Sequence, residues 1–291
     1  MTTWTFLPAA LTLAFSVILG LAPLPLHPMW SARVLGTVAA STLLATAGTL
    51  FFVAVNFGAS LFPKIANQLP EWALIGDDTP IPAALGVPAV VLFTALLATA
   101  LTVTLRAAAE VRRAEETSRA VLETDVPIAV AVPGRNGGVL ASRGLLTALD
   151  PSELRVVFEH EGSHLRHGHH RYLATAALAA ACVPVLRPLR ARLRFAIERW
   201  ADEDAADAVG DREHVARTIA RVALLQQPAA PGPFPAFADS GVVGRVRALL
   251  VRAPDRNRVT GPMILLGTGM TTVGLALAAL QLDQAFRLTF L

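Results

Sequence analysis

The chain has 291 residues, of which 54% are hydrophobic and only 16% are charged, with a mean hydropathy of +0.52. Soluble domains carry about 25% charged residues, so this composition argues against a water-soluble protein and against a disordered chain. The net charge is +3, and the positively charged residues are all arginines except Lys64. They flank the apolar stretches, as in membrane proteins, and we expect no direct nucleic-acid binding.

Four uncharged apolar stretches are long enough to cross a bilayer, which takes about 20 helical residues. They are Phe6–Leu24, Leu35–Val55, Ala83–Leu105 and Met263–Leu282. No lysine or arginine precedes the first stretch, so a cleaved signal peptide is not expected. The sequence therefore predicts a membrane domain over residues 1–105 with three spans. Residues 259–291 are predicted to hold a fourth span and a short extracellular tail.

Charged residues around these stretches predict how the protein lies in the membrane. Arginines follow the third stretch and precede the fourth, whereas the loop between the second and third is mainly acidic. Because basic loops stay on the cytoplasmic side, residues 106–258 are expected in the cytoplasm and both termini outside. The prediction is a multi-pass protein of the cell membrane.

A fifth apolar run, Tyr172–Leu186, is short, contains Pro184 and has arginines on both sides. A single crossing would leave one basic cluster outside, which the charge bias disfavours. We interpret the run as a hairpin or dipping segment that holds the cytoplasmic domain against the bilayer. Arg187, Arg190 and Arg194 then fall on one stripe of the next helix, which is typical of a helix at an anionic surface.

Between the third span and residue 172 the pattern changes to strands and turns. Val126–Val132 is rich in β-branched residues and ends at a Pro-Gly turn pair, and Gly137–Ser142 predicts a second short strand. Asp150 is expected to cap a helix that begins at Pro151, with Glu153 in its acidic first turn. The predicted fold is a mostly α membrane protein with a small α+β domain, residues 106–258, on the cytoplasmic face.

The helix that begins near residue 151 contains His160–His164, which reads HEGSH. Histidines four residues apart lie on one helix face, so both imidazoles can reach one tetrahedral Zn²⁺. Glu161 is placed to take a proton from a water molecule at the metal. The alternative is a solvated basic surface at the membrane, which accounts better for His167, His169 and His170 than for the pair.

A catalytic zinc needs a third protein ligand and an open position. Glu198, in the segment ERWAD, is the best candidate, and Asp202 lies one turn further along the same helix face. Asp202 can then reach the other ring nitrogen of a ligand histidine and fix its tautomer. The alternative is an acidic helix face, because Glu203, Asp204 and Asp207 follow.

HEGSH followed by ERWAD resembles the gluzincin pattern of a histidine pair and a downstream Glu-x-x-Ala-Asp. With four spans and a cytoplasmic catalytic region, the chain resembles the BlaR/MecR-type antirepressor membrane metallopeptidases. It is similar in the same segments to the HtpX and CAAX-endopeptidase group. Residues 132–134 and 139–146 are also similar to the strand-and-turn segment that precedes the zinc helix in these families.

The resemblance implies that His160, His164 and Glu198 hold one zinc ion per chain. It also implies that Glu161 is the general base and that Asp202 orients a ligand histidine.

Two further roles are implied by the resemblance. The strand Gly137–Ser142, with Val139, Leu140 and Ala141, would be the edge to which an extended substrate peptide adds. Arg245 would stabilise the oxyanion, with a salt bridge or a lipid contact as open alternatives.

The implied function is hydrolysis of peptide bonds in a protein or peptide substrate, in regulated proteolysis of a cytoplasmic transcriptional repressor or of the protein itself. The alternatives are an HtpX-like quality-control protease and a non-catalytic scaffold or receptor with a peptidase fold. The β-lactam sensors among the antirepressors carry a penicillin-binding domain after the last span. Here Asp283–Leu291 follows that span and the chain has no Ser-x-x-Lys motif, so direct antibiotic sensing is not expected.

Overall fold

The computed structural model of the chain describes residues 6–62, 81–117, 122–134, 137–226, 240–251 and 253–271. These residues are mostly helical. The helices are α1 (Leu7–Leu21), α2 (Pro28–Leu61), α3 (Ala83–Thr117), α4 (Arg143–Ala148), α5 (Pro151–Arg166), α6 (His169–Cys182), α7 (Arg187–Val209), α8 (Arg212–Leu225) and α9 (Ser240–Leu250). The strands are β1 (Ala129–Val132) and β2 (Gly138–Ala141), and residues 260–271 are also helical.

Among the described residues, two helices are long and apolar enough to cross a membrane, namely α2 and the Ala83–Arg113 part of α3. The second and third predicted spans lie inside them. Helix α1 is apolar, but its 15 residues rise only about 22 Å, less than the roughly 30 Å of a hydrocarbon core. The fourth predicted span, Met263–Leu282, lies mostly beyond residue 271 and so outside the described residues.

The main hydrophobic core lies where α1, α2, α6 and α7 meet. Helix α2 contributes Leu35 and Val38, and α7 contributes Leu189, Leu193 and Ile197, all of them almost completely buried. This core therefore contains side chains from both sides of the boundary predicted between residues 105 and 106. Helix α7 therefore packs the part of the chain that follows residue 105 onto the apolar helices.

The apolar run Tyr172–Leu186 forms most of α6 and the short 3₁₀ turn Pro184–Leu186 that joins it to α7. Helix α6 packs against α2, α3 and α7, and the small side chains of Ala176, Ala179 and Ala180 are buried in the main core. The run and α7 thus form a helical hairpin on the apolar bundle. Its depth in the bilayer stays a prediction.

The two strands pair antiparallel, with Ala129 opposite Ala141 and Val132 opposite Gly138. Both strands are shorter than the runs predicted from sequence. Ser142 explains the end of β2, because its hydroxyl accepts hydrogen bonds from the backbone N–H groups of Ile128 and Leu145 and so caps α4. Both strands pack against α5.

The predicted start of α5 is confirmed. The Asp150 carboxylate accepts hydrogen bonds from the backbone N–H groups of Ser152 and Glu153, and the Glu153 carboxylate accepts one from the backbone N–H of Asp150. This reciprocal capping box satisfies donors that a helix start leaves unpaired. A second core, formed by residues of α5, α7, α8 and α9, includes Val156 and Leu249 and holds α5 against α7.

Candidate metal centre

The predicted metal ligands meet where α5 packs against α7. His160 and His164 come from α5, with side chains 12% and 14% exposed, and Glu198 comes from α7, with its side chain 27% exposed. One potential ligand atom from each residue lies within 4.8 Å of the other two. The histidine pair and Glu198, which lie more than 30 residues apart in the chain, therefore form one cluster.

The separations between these atoms suit a small tetrahedral ion. The two histidine Nε2 atoms are 3.3 Å apart, and the Glu198 carboxylate oxygens lie 3.6 Å from His160 Nε2 and 3.9 Å from His164 Nε2. Ligand bonds of about 2.1 Å in a tetrahedron place the ligand atoms about 3.4 Å apart. A donor set of two imidazoles and one carboxylate is typical of catalytic zinc, so the residues fit the predicted metal.

His160 is held by two carboxylates of α7. Its Nδ1 lies 3.1 Å from Oδ1 of Asp202, and its Nε2 lies close to Glu198. Burial by itself would lower the pKa of His160, but the neighbouring carboxylates of Asp202 and Glu198 favour the charged ring and raise this pKa to about 9. Binding of a metal ion to Nε2 therefore requires release of a proton from His160.

Arg245 of α9 contacts both carboxylates that flank His160, those of Asp202 and Glu198. Its guanidinium donates two hydrogen bonds to Asp202, at 2.8 and 2.6 Å, and lies 2.9 Å from Oε2 of Glu198. Burial would raise the pKa of Glu198, but His160 and Arg245 lower it to about 2, and Arg245 and His160 likewise lower the pKa of Asp202 against burial. In this structure Arg245 pairs with carboxylates, which is the salt-bridge alternative to the implied oxyanion role.

His164 lies next to His169, a residue for which the sequence favours a solvated surface position. His169 at the start of α6 is fully buried, and its Nδ1 lies 3.0 Å from Nδ1 of His164. Burial and neighbouring histidines lower the pKa to about 4 for His164 and about 3 for His169, so both rings are neutral at physiological pH. The left-handed turn at Gly168, with φ 61°, brings His169 back to the site. The contact between His164 and His169 crosses this turn, so helical spacing does not predict it.

Glu161 points toward the sheet. Its Oε2 accepts a hydrogen bond of 3.0 Å from the backbone N–H of Ala131 in β1, and burial raises the pKa of its carboxyl group. A raised pKa suits a group that takes up a proton and gives it back. Glu161 is not one of the three clustered residues, so its carboxylate is available for proton transfer.

The strand beside Glu161 is β1, whereas the sequence analysis expected β2 to be the substrate edge. Alternate residues of an antiparallel strand turn their N–H groups away from the partner strand, and the Ala131 N–H, donated to Glu161, lies on that outer edge of β1. On the outer side of β2, the Ala141 carbonyl accepts a hydrogen bond from the N–H of Leu122. Val139, Leu140 and Ala141 thus lie one strand further from Glu161.

His167 and two acids near the cluster, Asp204 and Glu203, have partners of their own. Asp204 accepts hydrogen bonds from Ser163 and pairs with His167, and His167 stacks on the buried ring of Trp200. Glu203 is buried and pairs with Arg199 and Arg212. These acids therefore hold α7 to its neighbours and do not form a solvated acidic face.

A cleft of about 1020 Å³ opens beside the cluster. Glu198 and Arg245 are among its lining residues, and α7, α9, α6 and the end of α1 contribute to its walls. Glu198 and the arginine-rich start of α7 therefore line the same cleft.

Residues 95–192 match the model of peptidase family M48. The match begins in α3 and includes α5 with both histidines, and it ends before Glu198. It supports a metallopeptidase of this zinc-dependent family, and it does not distinguish the antirepressor type from the HtpX type. No curated protein and no solved structure gives a significant match to the chain.

Proposed function

We propose that this protein is an integral membrane zinc endopeptidase. The observation that carries the proposal is the group of His160, His164 and Glu198, whose donor atoms lie at the separations a tetrahedral ion needs. The match to the model of peptidase family M48 also supports the peptidase class, because it covers the helix that carries both histidines.

In this proposal His160, His164 and Glu198 hold one zinc ion per chain. A zinc ion held there supplies Lewis acidity toward water and a peptide carbonyl. Glu161 takes a proton from the attacking water and returns it to the leaving amine. Asp202 keeps the Nε2 of His160 directed at the cluster, and Arg245 holds Asp202 and Glu198 in position.

An extended substrate would add to the outer edge of β1. The Ala131 N–H lies on that edge and donates a hydrogen bond to Glu161. This contact supports a substrate position beside the proposed general base.

The membrane arrangement belongs to the same proposal. Helices α2 and α3 are two candidate spans, and the sequence favours four spans with the peptidase region in the cytoplasm and both termini outside. Of the substrates that the family resemblance implies, we propose a cytoplasmic protein, either a transcriptional repressor or the chain itself. Quality control of membrane proteins is the second candidate, favoured by the packing of α7 directly on the apolar helices.

The first experiment measures zinc per chain in detergent-purified protein for the wild type and for His164→Ala and Glu198→Ala. We expect about one zinc in the wild type and loss of zinc in both variants. Glu203→Gln is the matched control on α7, since Glu203 pairs with arginines outside the cluster.

Three outcomes separate the alternatives. Loss of zinc in both ligand variants but not in the control supports the three-residue site. Absence of zinc from metal-buffered wild type would favour the non-catalytic scaffold or receptor. Loss in the histidine variant alone would remove Glu198 from the ligand set.

A further inference from the structure

A row of arginines leads along α7 to the candidate metal centre. Arg187, Arg190 and Arg194 precede Glu198 by eleven, eight and four residues, and at 3.6 residues per turn all four fall within an arc of about 80°. All four residues line the cleft. The rise of the helix places the three arginines about 6 to 16 Å from Glu198 along its axis.

These three side chains are exposed, and none forms an ion pair or side-chain hydrogen bond with any residue that the structure describes. Arg192 on the same helix differs, because its guanidinium donates to the backbone carbonyls of Gly20 and Leu21 and ties α7 to α1. Arg245, which also lines the cleft, is fully engaged with carboxylates. The cleft thus presents three cationic groups that have no partner among the residues that the structure describes.

We propose that this arginine row is a substrate subsite that selects peptides with aspartate or glutamate side chains about two to five residues from the scissile bond. The inference deepens the proposed peptidase function and rests on it. An extended peptide advances about 3.3 Å per residue, so the 6 to 16 Å interval corresponds to about two to five residues. Arginine forks bind carboxylates with two parallel hydrogen bonds, which gives geometric specificity as well as charge.

The position of the row favours a peptide over a lipid headgroup. A lipid site needs only a basic face toward the bilayer, whereas these arginines line the same cleft as Glu198. A peptide that reaches Glu198 through this cleft would contact them. The experiment must therefore distinguish binding of an acidic peptide from binding of an anionic lipid.

The test uses the zinc-loaded full chain and a library of random peptides, with cleavage sites read by mass spectrometry. We expect acidic residues to be enriched at two to five positions on one side of the cleaved bond, by up to about fivefold per contact, which is the upper range for a partly exposed ion pair. Raising the salt from about 0.1 M to about 1 M should weaken the enrichment. Arg190→Gln/Arg194→Gln should abolish the enrichment at about two to four residues from the cleaved bond, which are the positions that these two arginines would contact.

Arg171→Gln/Arg217→Gln is the matched control, since both arginines are exposed, lie outside the cleft lining and remove the same charge. Cleavage without acidic preference would overturn the subsite and leave the peptidase function standing. Absence of any cleavage by zinc-loaded protein would overturn both.

A second assay uses the protein in phosphatidylcholine bilayers with and without phosphatidylglycerol. If Arg190→Gln/Arg194→Gln changes only the response to phosphatidylglycerol, the arginine row binds lipid headgroups and the proposal is wrong.

Discussion

The α5–α7 contact and the α2–α3 contact both join two helices, yet the first combines an apolar core with paired buried charges, whereas the second is apolar. Between α5 and α7 the buried charges are paired, as in the group of His160, Asp202 and Arg245. Between α2 and α3 the contact is apolar and close, with the ring of Phe57 against Gly86, where a Cβ would come within 2.1 Å of it. The outer face of α3 leaves large apolar side chains such as Val91 and Leu101 exposed, as expected for a surface that lipid covers.

Helix α7 takes part in both kinds of packing. Its first half buries Leu189, Leu193 and Ile197 against the apolar helices, and its second half carries Glu198 and Asp202. Trp200 lies in the second half, between Glu198 and Asp202 in the chain, with the Arg33 guanidinium of α2 5.3 Å from its ring and the His169 ring 4.6 Å away. The candidate metal centre is thus built on a helix whose position the apolar bundle sets. Substitutions in the two regions should therefore have different consequences.

The largest expected effect is on catalysis in the polar region. Glu161→Gln should lower peptide cleavage by a factor of about 10² to 10⁴, because it removes the proton acceptor. Zinc per chain should stay at the wild-type value, since Glu161 is not in the ligand cluster. Both quantities are measured on the same preparation.

Glu159→Gln is the control for this change, because Glu159 lies on the same helix and pairs with Arg166 at the surface. Cleavage that survives Glu161→Gln would remove Glu161 from the mechanism.

A second change tests the charge pairing around the buried carboxylates. Arg245→Ala should lower the free energy of unfolding by about 3–5 kcal/mol, since it leaves the fully buried Asp202 without its main cation. The measurement is a denaturant melt of metal-free protein without substrate, so an oxyanion role alone would leave the result unchanged. Arg247→Ala, an exposed position on the same helix, should have little effect. Equal stability of both variants would mean that the Arg245 ion pairs contribute nothing to folding.

The apolar region is tested by Leu193→Ala, which deletes a completely buried side chain of α7. We expect a loss of about 2–5 kcal/mol in the free energy of unfolding from the cavity that remains. Val91→Ala on the exposed face of α3 should cost much less, because its side chain contacts little protein. If the two variants melt alike in the same detergent, α7 is not anchored on the apolar bundle as described.

The smallest expected effect is at the cap of α5. Asp150→Ala should lower the melting temperature by about 2 °C at neutral pH, since the helix loses its capping acceptor. Hydrogen bonds from the Ser152 hydroxyl and the Glu153 backbone lower the pKa of Asp150. The cap therefore stabilises fully above the ordinary aspartate pKa of about 3.9 and is lost as pH falls through the lower folded value.

Asp150→Asn is the matched variant, because asparagine caps equally well without titrating. Its difference from wild type should change only below about pH 4. A constant difference between the two proteins at every pH would contradict the assigned pKa shift.

Local patterns in the sequence predicted much of this arrangement. The cap at Asp150 and the one-turn spacing of His160 and His164 depend only on neighbouring residues, so the local sequence suffices to predict them. The same holds for Glu198 and Asp202 on one face of α7. The strand lengths were overestimated, because the side-chain hydrogen bonds of Ser142 end β2 early.

By itself the sequence determined the apolar helices, the metal-ligating residue types and their spacing within each helix, since hydropathy and helical periodicity are local properties. Only the tertiary structure decided that Glu198 meets the histidine pair, that His169 returns to His164 and that β1 lies beside Glu161. It also decided that Arg245 pairs with two carboxylates. These contacts join residues distant in the chain or across a left-handed turn, and they depend on how the helices pack against one another, which no local pattern encodes.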